Sequence, residues 1–239
     1  MSLALNIPPY SCTACELADA LSTVCRILYE NKLLTDKGYA SFQNVIRELK
    51  RLRNRKEWSF VVDLDDPIEF EFAENVINQS DYAQILLSAK EVSVDTSKHF
   101  PFKTWDISLL IKDLDGEPIG RWHFDFANQN TDSMQSGPLT HMQFGGHISG
   151  GNRNNDYSLK VPRWTHPPMD LSLLCEVIVA NFFPHTWDLI KEDPAWCESI
   201  SLSEKLCYSA YVSKLLTSLN ASGTTFLNEV EAKTWINKI

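Results

Sequence analysis

Alternation of apolar and polar residues is the clearest pattern in this chain. It is strict in RWHFDF, residues 121–126, and these residues end the β-rich stretch WDISLLIKDLDGEPIGRWHFDF, residues 105–126. Such alternation is typical of β-strands with one buried face, because successive side chains point to opposite sides. Asp115-Gly116 separates the two runs, and an Asp-Gly pair in this position predicts a type I′ hairpin with a two-residue loop. Leu114 then faces Glu117, which fixes every other pair in the hairpin.

The predicted register sorts the side chains of these two strands into an apolar face and a polar face. The apolar face holds three opposed pairs, which are Trp105 with Phe126, Ile107 with Phe124, and Leu109 with Trp122. The polar face holds three others, which are Asp106 with Asp125, Ser108 with His123, and Leu110 with Arg121. A third strand, predicted at 139–145, adds His141 and Gln143 to the polar face if it pairs beside 121–127.

Two aspartates and two histidines on one sheet face favour either a divalent metal site or acid–base chemistry. The predicted metal ligands are Asp106, Asp125 and His123, with His141 as an alternative ligand. A metal-activated water would then attack a phosphodiester or a similar ester. The candidate catalytic residues are His123, Asp125, His141 and Arg121. Arg121, or the histidine that is not a ligand, would steady the developing negative charge.

A solvated sheet face also accounts for these residues. Opposed aspartates such as Asp106 and Asp125 persist where water or a cation screens them. Ser108 is the one candidate nucleophile on this face, and no nucleophile-elbow motif surrounds it. The sequence therefore leaves both interpretations of the polar face open.

Helical patterns flank the β-rich middle of the chain, and this order predicts an α+β fold. The helical patterns fall at 12–30, 36–53, 169–183, 201–219 and from 224 towards Ile239, and the β-rich runs before the hairpin fall at 58–66 and 68–75. The run at 82–94 fits either a strand or a short helix, and a strand is favoured after Ser88. The predicted architecture is a single α+β domain over residues 1–239, with N-terminal helices at 12–54, a central antiparallel sheet at 58–147 and a C-terminal helical bundle at 168–239. No glycine-rich nucleotide-binding motif follows a predicted strand, so a Rossmann or P-loop site is not expected.

Charge is distributed unevenly along the chain. The net charge is -9, yet RELKRLRNRK at 47–56 carries six of the 22 basic residues. A basic patch on an acidic protein is suited to phosphate, including nucleic acid, or to a carboxylate-rich partner. The candidate binding residues of this segment are Lys50, Arg51, Arg53 and Arg55. Cations near a helix C-terminus also suit the helix dipole, which is the structural alternative.

The segment PRWTHPPMD, residues 162–170, is predicted to be rigid and extended, because each proline biases its predecessor away from helix. Arg163 and His166 flank its Pro-Pro turn. They are candidate ligand-binding residues, and packing of the turn explains them as well.

The chain is expected to be cytoplasmic and to have no membrane partner. Its N-terminus, MSLALNIPPYSC, has neither the basic start nor the apolar run of a signal peptide. The most apolar stretch, residues 171–183, is too short to span a bilayer. The six cysteines are expected to be reduced thiols.

Two segments resemble an uncharacterised family of bacterial proteins. These are HMQFGG at 141–146 and PRWTHPPMDLSLLCEVIVANFFPHTW at 162–187, about a third of the chain together with the residues around them. Such proteins are associated with phage-defence or mobile-element gene neighbourhoods. The resemblance implies a bacterial cytoplasmic protein that works with the products of neighbouring genes, and it implies no activity.

Three functions follow from these observations. The first is a non-catalytic accessory or partner-binding subunit of a bacterial complex, with a role in antiphage defence. The second is a metal-dependent hydrolase or nuclease that uses the Asp/His cluster on the hairpin. The third is a small-ligand sensor with its pocket between the sheet and the Pro-Pro turn. The first is favoured, because no compact catalytic motif occurs in the sequence.

Overall fold

The computed structural model describes residues 10–74, 82–127, 137–145 and 162–236. The helices within these ranges are α1 (Ala14–Glu30), α2 (Asp36–Leu52), α3 (Leu171–Phe182), α4 (Pro184–Ile190), α5 (Pro194–Asn220), α6 (Phe226–Glu229) and α7 (Ala232–Ile236). The strands are β1 (Glu57–Val62), β2 (Ile68–Glu69), β3 (Ala73–Glu74), β4 (Tyr82–Asp95), β5 (Phe102–Lys112), β6 (Pro118–Phe126), β7 (Thr140–Phe144) and β8 (Trp164–Thr165). The predicted α+β class is confirmed.

The sheet is antiparallel throughout its described pairs and has the order β1-β4-β5-β6-β7-β8. The short strands β2 and β3 continue along the same side of β4 as β1 does. One contiguous cluster of buried side chains joins the apolar face of the sheet to α1, α2, α3 and α5. None of the helices in the described ranges combines the length and the apolarity needed to span a lipid bilayer.

The loop of the β5–β6 hairpin differs from the predicted two-residue type I′ turn. Gly116 has φ +82° and its N–H donates to the carbonyl of Asp113, while Asp113 N–H donates to the carbonyl of Glu117. The loop therefore has three residues, and its glycine takes the left-handed conformation that such loops require. A bulge at Ile119 follows, since Lys112 pairs with Pro118 while Ile111 pairs with Gly120. The bulge offsets the longer loop, so the predicted pairs from Asp106 to Leu110 are all confirmed.

Helix α1 starts against the turn that follows α2. Thr13 and Glu16 form a capping box, with the Thr13 side chain accepting from the N–H of Glu16 and the Glu16 carboxylate accepting from the N–H of Thr13. The N–H groups of Ala14 and Cys15 donate to the carbonyls of Arg55 and Arg53, at 2.9 and 3.0 Å. The main chain of the basic segment thus satisfies donors that the first turn of a helix leaves open.

The prediction of one continuous helix from 224 onwards is wrong, because the chain forms two short helices there, α6 and α7. Between them, Pro138 and Glu231 form an isolated antiparallel bridge. Leu139 N–H donates to the carbonyl of Val230, and Ala232 N–H donates to that of Gly137, at 2.8 and 3.0 Å. Pairing with the segment before β7 therefore replaces helical hydrogen bonds at this point.

Candidate functional site

Two rows of polar side chains cross the sheet on the face opposite the apolar core. The first row consists of Asp106 on β5, Asp125 on β6, His141 on β7 and Thr165 on β8, each paired with its neighbour. The second row consists of Ser88 on β4, Ser108 on β5, His123 on β6 and Gln143 on β7. Since directly paired residues point to the same face, pairing alone brings the predicted cluster together. We call the first three residues, Asp106, Asp125 and His141, the carboxylate row.

His141 and Asp125 make the closest contact between titratable side chains of the site. The Nε2 atom of His141 lies 2.6 Å from Oδ1 of Asp125. The His141 side chain is only 2% exposed, whereas that of Asp125 is 33% exposed. The contact is an ion pair when the imidazole is protonated, and Oδ1 of Asp125 has no hydrogen-bond partner among the described residues. A buried imidazole therefore fixes a carboxylate that solvent still reaches.

Asp106 lies in an environment that opposes its ionisation. Burial raises the pKa of its carboxyl above the ordinary value, and the negative charge of Asp125 raises that pKa further. The positive charges of Lys90 and Arg121 act in the opposite direction, without reversing the shift. Two directly opposed carboxyl groups thus share this part of the sheet, and charge on both is costly.

The second row is held by hydroxyl groups. The Oγ atoms of Ser88 and Ser108 lie 2.8 Å apart and are hydrogen-bonded. An Nη2 donor of Arg121 reaches Ser108 Oγ at 3.4 Å. Burial lowers the pKa of the Arg121 guanidinium, and the charge of Asp106 partly counters that change. Arg121 pairs with Leu110, beyond the second row, and its charge therefore acts on Asp106 across that row.

The histidine predicted as a metal ligand, His123, lies in the second row and not in the carboxylate row. Among the residues that the structure describes, no group of three or more His, Cys, Asp or Glu side chains is arranged to hold a metal ion. The roles of His123, Asp125, His141 and Arg121 in catalysis stay predictions.

The basic segment 47–56 ends α2 and turns towards β1. The side chains of Lys50, Arg51, Arg53 and Arg55 are all exposed. Lys50 Nζ lies 3.5 Å from a carboxylate oxygen of Asp19. Arg53 has φ +54°, an uncommon conformation for a residue with a side chain, and its carbonyl is one of those that hold the start of α1. The main chain of this segment holds the start of α1, and the charged side chains of the segment face solvent.

His166 lies away from the carboxylate row. Its ring packs edge-on against Phe124, a residue of the apolar face, with 5.7 Å between ring centroids. Its Nδ1 atom is 2.7 Å from the carbonyl oxygen of Pro167, and burial lowers the pKa of the imidazole. These contacts are those of a residue that packs the Pro-Pro turn. Arg163 precedes β8 and is half-buried.

Thr165 is the member of the first row that the sequence did not reveal. It belongs to β8, a strand of two residues that pairs with β7, and its Oγ1 is 3.0 Å from the hydroxyl of Tyr211 on α5. An alternating pattern cannot be recognised over two residues, so the sequence predicted an extended segment at 162–170 and no strand within it.

No protein-family model, curated protein or solved structure matches this chain. The resemblance of 141–146 and 162–187 to bacterial proteins of defence neighbourhoods therefore stays a prediction. Any functional conclusion must come from the geometry of the site.

Proposed function

We propose that this chain is a non-catalytic, partner-binding subunit of a bacterial cytoplasmic complex, with antiphage defence as its setting. The partner would place a lysine or arginine side chain against the carboxylate row. The observation that supports this proposal is the direct cross-strand pairing of Asp106 with Asp125, next to the contact of 2.6 Å between Asp125 and His141.

Electrostatics favours a cation as the group recognised. Opposed residues of an antiparallel pair have Cβ atoms about 5 Å apart, and like charges at that distance are destabilising. The raised pKa of Asp106 reflects this cost together with burial. A cationic side chain between the two carboxylates would relieve the repulsion and stabilise the ionised form of Asp106.

His141 would act as a positioning residue in this arrangement. Its imidazole is almost completely buried and contacts one oxygen of Asp125. A carboxylate held in this way loses little conformational freedom when a partner binds, which reduces the cost of association. Because a third of the Asp125 side chain is exposed, the partner can still reach it.

The net charge of -9 favours a basic partner for this chain, although the exposed segment 47–56 is itself basic. An acidic surface attracts basic partners and speeds their encounter. A protein with a basic contact surface is therefore the partner that we propose, and binding of nucleic acid through the basic segment is a separate expectation from the sequence.

Charge-matched variants in cells of the source organism would test the proposal. We expect one specific protein to co-purify with the wild type and with Glu117→Gln, which removes a carboxylate from the exposed hairpin tip. Its recovery should fall about tenfold or more with Asp106→Asn, the loss expected for one charge-assisted contact of about 1.4 kcal/mol or more. Equal recovery with all three proteins would contradict the proposal.

A further inference from the structure

We infer that a second binding site lies in the groove between α2 and the end of β1, and that it takes a small zwitterion such as a free amino acid or a dipeptide. This site shares no residue with the carboxylate row, and the inference does not depend on the proposed function.

The groove has a volume of about 340 Å³, which is within the range of small-molecule pockets. One wall is a stripe of α2, and the other is the end of β1 with the turn that follows it. The lining residues are Ser41, Asn44, Arg47, Glu48, Arg51, Val61, Val62, Asp63 and Asp66.

Opposite charges line this groove without neutralising each other. Arg47 and Arg51 are one helical turn apart, so both lie on the groove side of α2. Asp63 and Asp66 belong to the opposite wall, and Glu48 lies beside the two arginines on α2. In the described part of the chain, no ion pair joins either arginine to a carboxylate of the groove, although Lys50 on the same helix pairs with Asp19 outside it.

Neighbouring polar groups support the two charged walls. A guanidinium nitrogen of Arg47 donates to the side-chain oxygen of Asn44, which orients Arg47 along the helix. The Oδ1 atom of Asp63 accepts from the N–H of Asp65 at 3.0 Å, which fixes the turn that carries Asp63 and Asp66. The charged side chains of both walls therefore extend from segments whose conformation is fixed by hydrogen bonds.

A ligand with one charge of each sign matches these walls better than a simple ion does. A carboxylate can form paired hydrogen bonds with the guanidinium groups of Arg47 and Arg51. An ammonium group can bind Asp63 and Asp66 across the groove. A plain anion would also meet these carboxylates, and a plain cation would also meet the arginines. Val61, which is 54% exposed, offers an apolar surface between the two charged ends.

Isothermal titration with the dipeptide Gly-Leu at low salt and neutral pH tests this inference. We expect saturable one-to-one binding by the full-length protein. N-acetyl-Gly-Leu lacks the ammonium charge and Gly-Leu-amide lacks the carboxylate charge, and each should bind about tenfold more weakly or not detectably.

Matched variants locate the site. Arg51→Gln and Asp66→Asn each remove one exposed charge from the groove, and each should weaken binding by about tenfold. Arg26→Gln removes an exposed arginine that pairs with Glu30 on α1, and Asp106→Asn changes the carboxylate row, so both should bind Gly-Leu like the wild type. The inference is overturned if the wild type shows no saturable binding at tens of millimolar, if the blocked dipeptides bind equally well, or if Arg51→Gln and Asp66→Asn have no effect.

Discussion

Gly38 lies where the first turn of α2 touches the main chain of β2. A Cβ atom built on Gly38 would lie 2.0 Å from the carbonyl oxygen of Glu69 and 2.6 Å from its nitrogen. Thr35 N–H also donates to that carbonyl, at 3.1 Å, so the helix start and the strand are held together. A side chain here cannot be accommodated unless the helix moves away from the sheet.

Gly38→Ala is therefore expected to lower the free energy of unfolding by about 2 kcal/mol or more. Overpacking against backbone outweighs the gain of about 1 kcal/mol that alanine brings to a helix. Urea denaturation measures the difference, and Gly223→Ala is the control, because a Cβ at that position has no atom within 4 Å apart from those of Gly223 and its two chain neighbours. Equal stability of Gly38→Ala and Gly223→Ala would show that α2 and β2 are not in this close contact.

Asp106 makes stability depend on pH in a defined direction. Its pKa is raised in the folded protein, so the folded state holds the proton more tightly than the unfolded state does. The stabilisation from protonated Asp106 is full below the unfolded pKa of about 3.9, and it is lost as pH rises through the higher folded value. Asparagine at position 106 does not titrate, so its contribution to stability does not change over this pH interval.

We therefore expect the stability of Asp106→Asn relative to the wild type to increase between about pH 3.5 and pH 7. Denaturation curves across this range measure the trend, and Glu117→Gln controls for the change in net charge. A difference between Asp106→Asn and the wild type that stays constant or falls with pH would contradict the environment described for Asp106.

At the level of the elements, Asp170 joins two helices of the C-terminal part. It is the N-cap of α3, where its Oδ1 accepts from Leu173 N–H at 3.1 Å, and its Oδ2 accepts from Ser203 Oγ of α5 at 2.5 Å. The side chain is buried, and desolvation raises the pKa of the carboxyl. One carboxyl group thus caps a helix and also ties that helix to its neighbour.

Asp170→Ala should cost about 2–4 kcal/mol of unfolding free energy, because the cap is lost and the Ser203 hydroxyl is left in a buried site without its partner. Asp193 caps α5 from a less buried position, accepting from Ala195 and Trp196 N–H, so Asp193→Ala should cost about 1 kcal/mol. Thermal or urea unfolding compares the two. Similar losses in both variants would mean that the link between α3 and α5 contributes little.

At the level of the elements, local sequence rules predicted the register of the β5–β6 hairpin but not the conformation of its loop. Alternation predicted the pairs from Asp106 to Leu110 correctly, because a slip of one residue would expose the whole apolar face. The loop was predicted wrongly, since Asp-Gly fits both the two-residue turn and the three-residue loop that forms. The bulge at Ile119 absorbs the extra residue, so an error in the loop left the register of the site intact.

Elements that depend on distant pairing could not be predicted in the same way. The break between α6 and α7 arises because Val230 and Ala232 pair with the segment before β7, about 90 residues earlier in the chain. Strand β8 exists only because β7 offers an edge to Trp164 and Thr165. Periodicity within a segment carries no information about either partner.

Across the whole molecule, the sheet face that carries the candidate site was predictable, whereas its full set of residues and its energetics were not. Strand alternation was enough to place Asp106, Asp125 and His141 on one face. The near-complete burial of His141 and its contact with Asp125 depend on tertiary packing, which the sequence does not reveal. The groove beside α2 likewise needs α2 and β1 to meet, and only Arg51 among its charged residues was singled out from the sequence.

We propose that the carboxylate row binds a cationic side chain. An NMR titration of the isotope-labelled protein with N-acetyl-Gly-Arg-Gly-amide at neutral pH tests this binding, with the citrulline peptide as an uncharged control of similar shape. We expect saturable shifts centred on Asp106, Asp125 and His141 with the arginine peptide only. These shifts should weaken as pH falls through the raised pKa of Asp106, and they should be lost in Asp106→Asn. Shifts that are absent, that lie elsewhere, or that are equal for the citrulline peptide would contradict the claim.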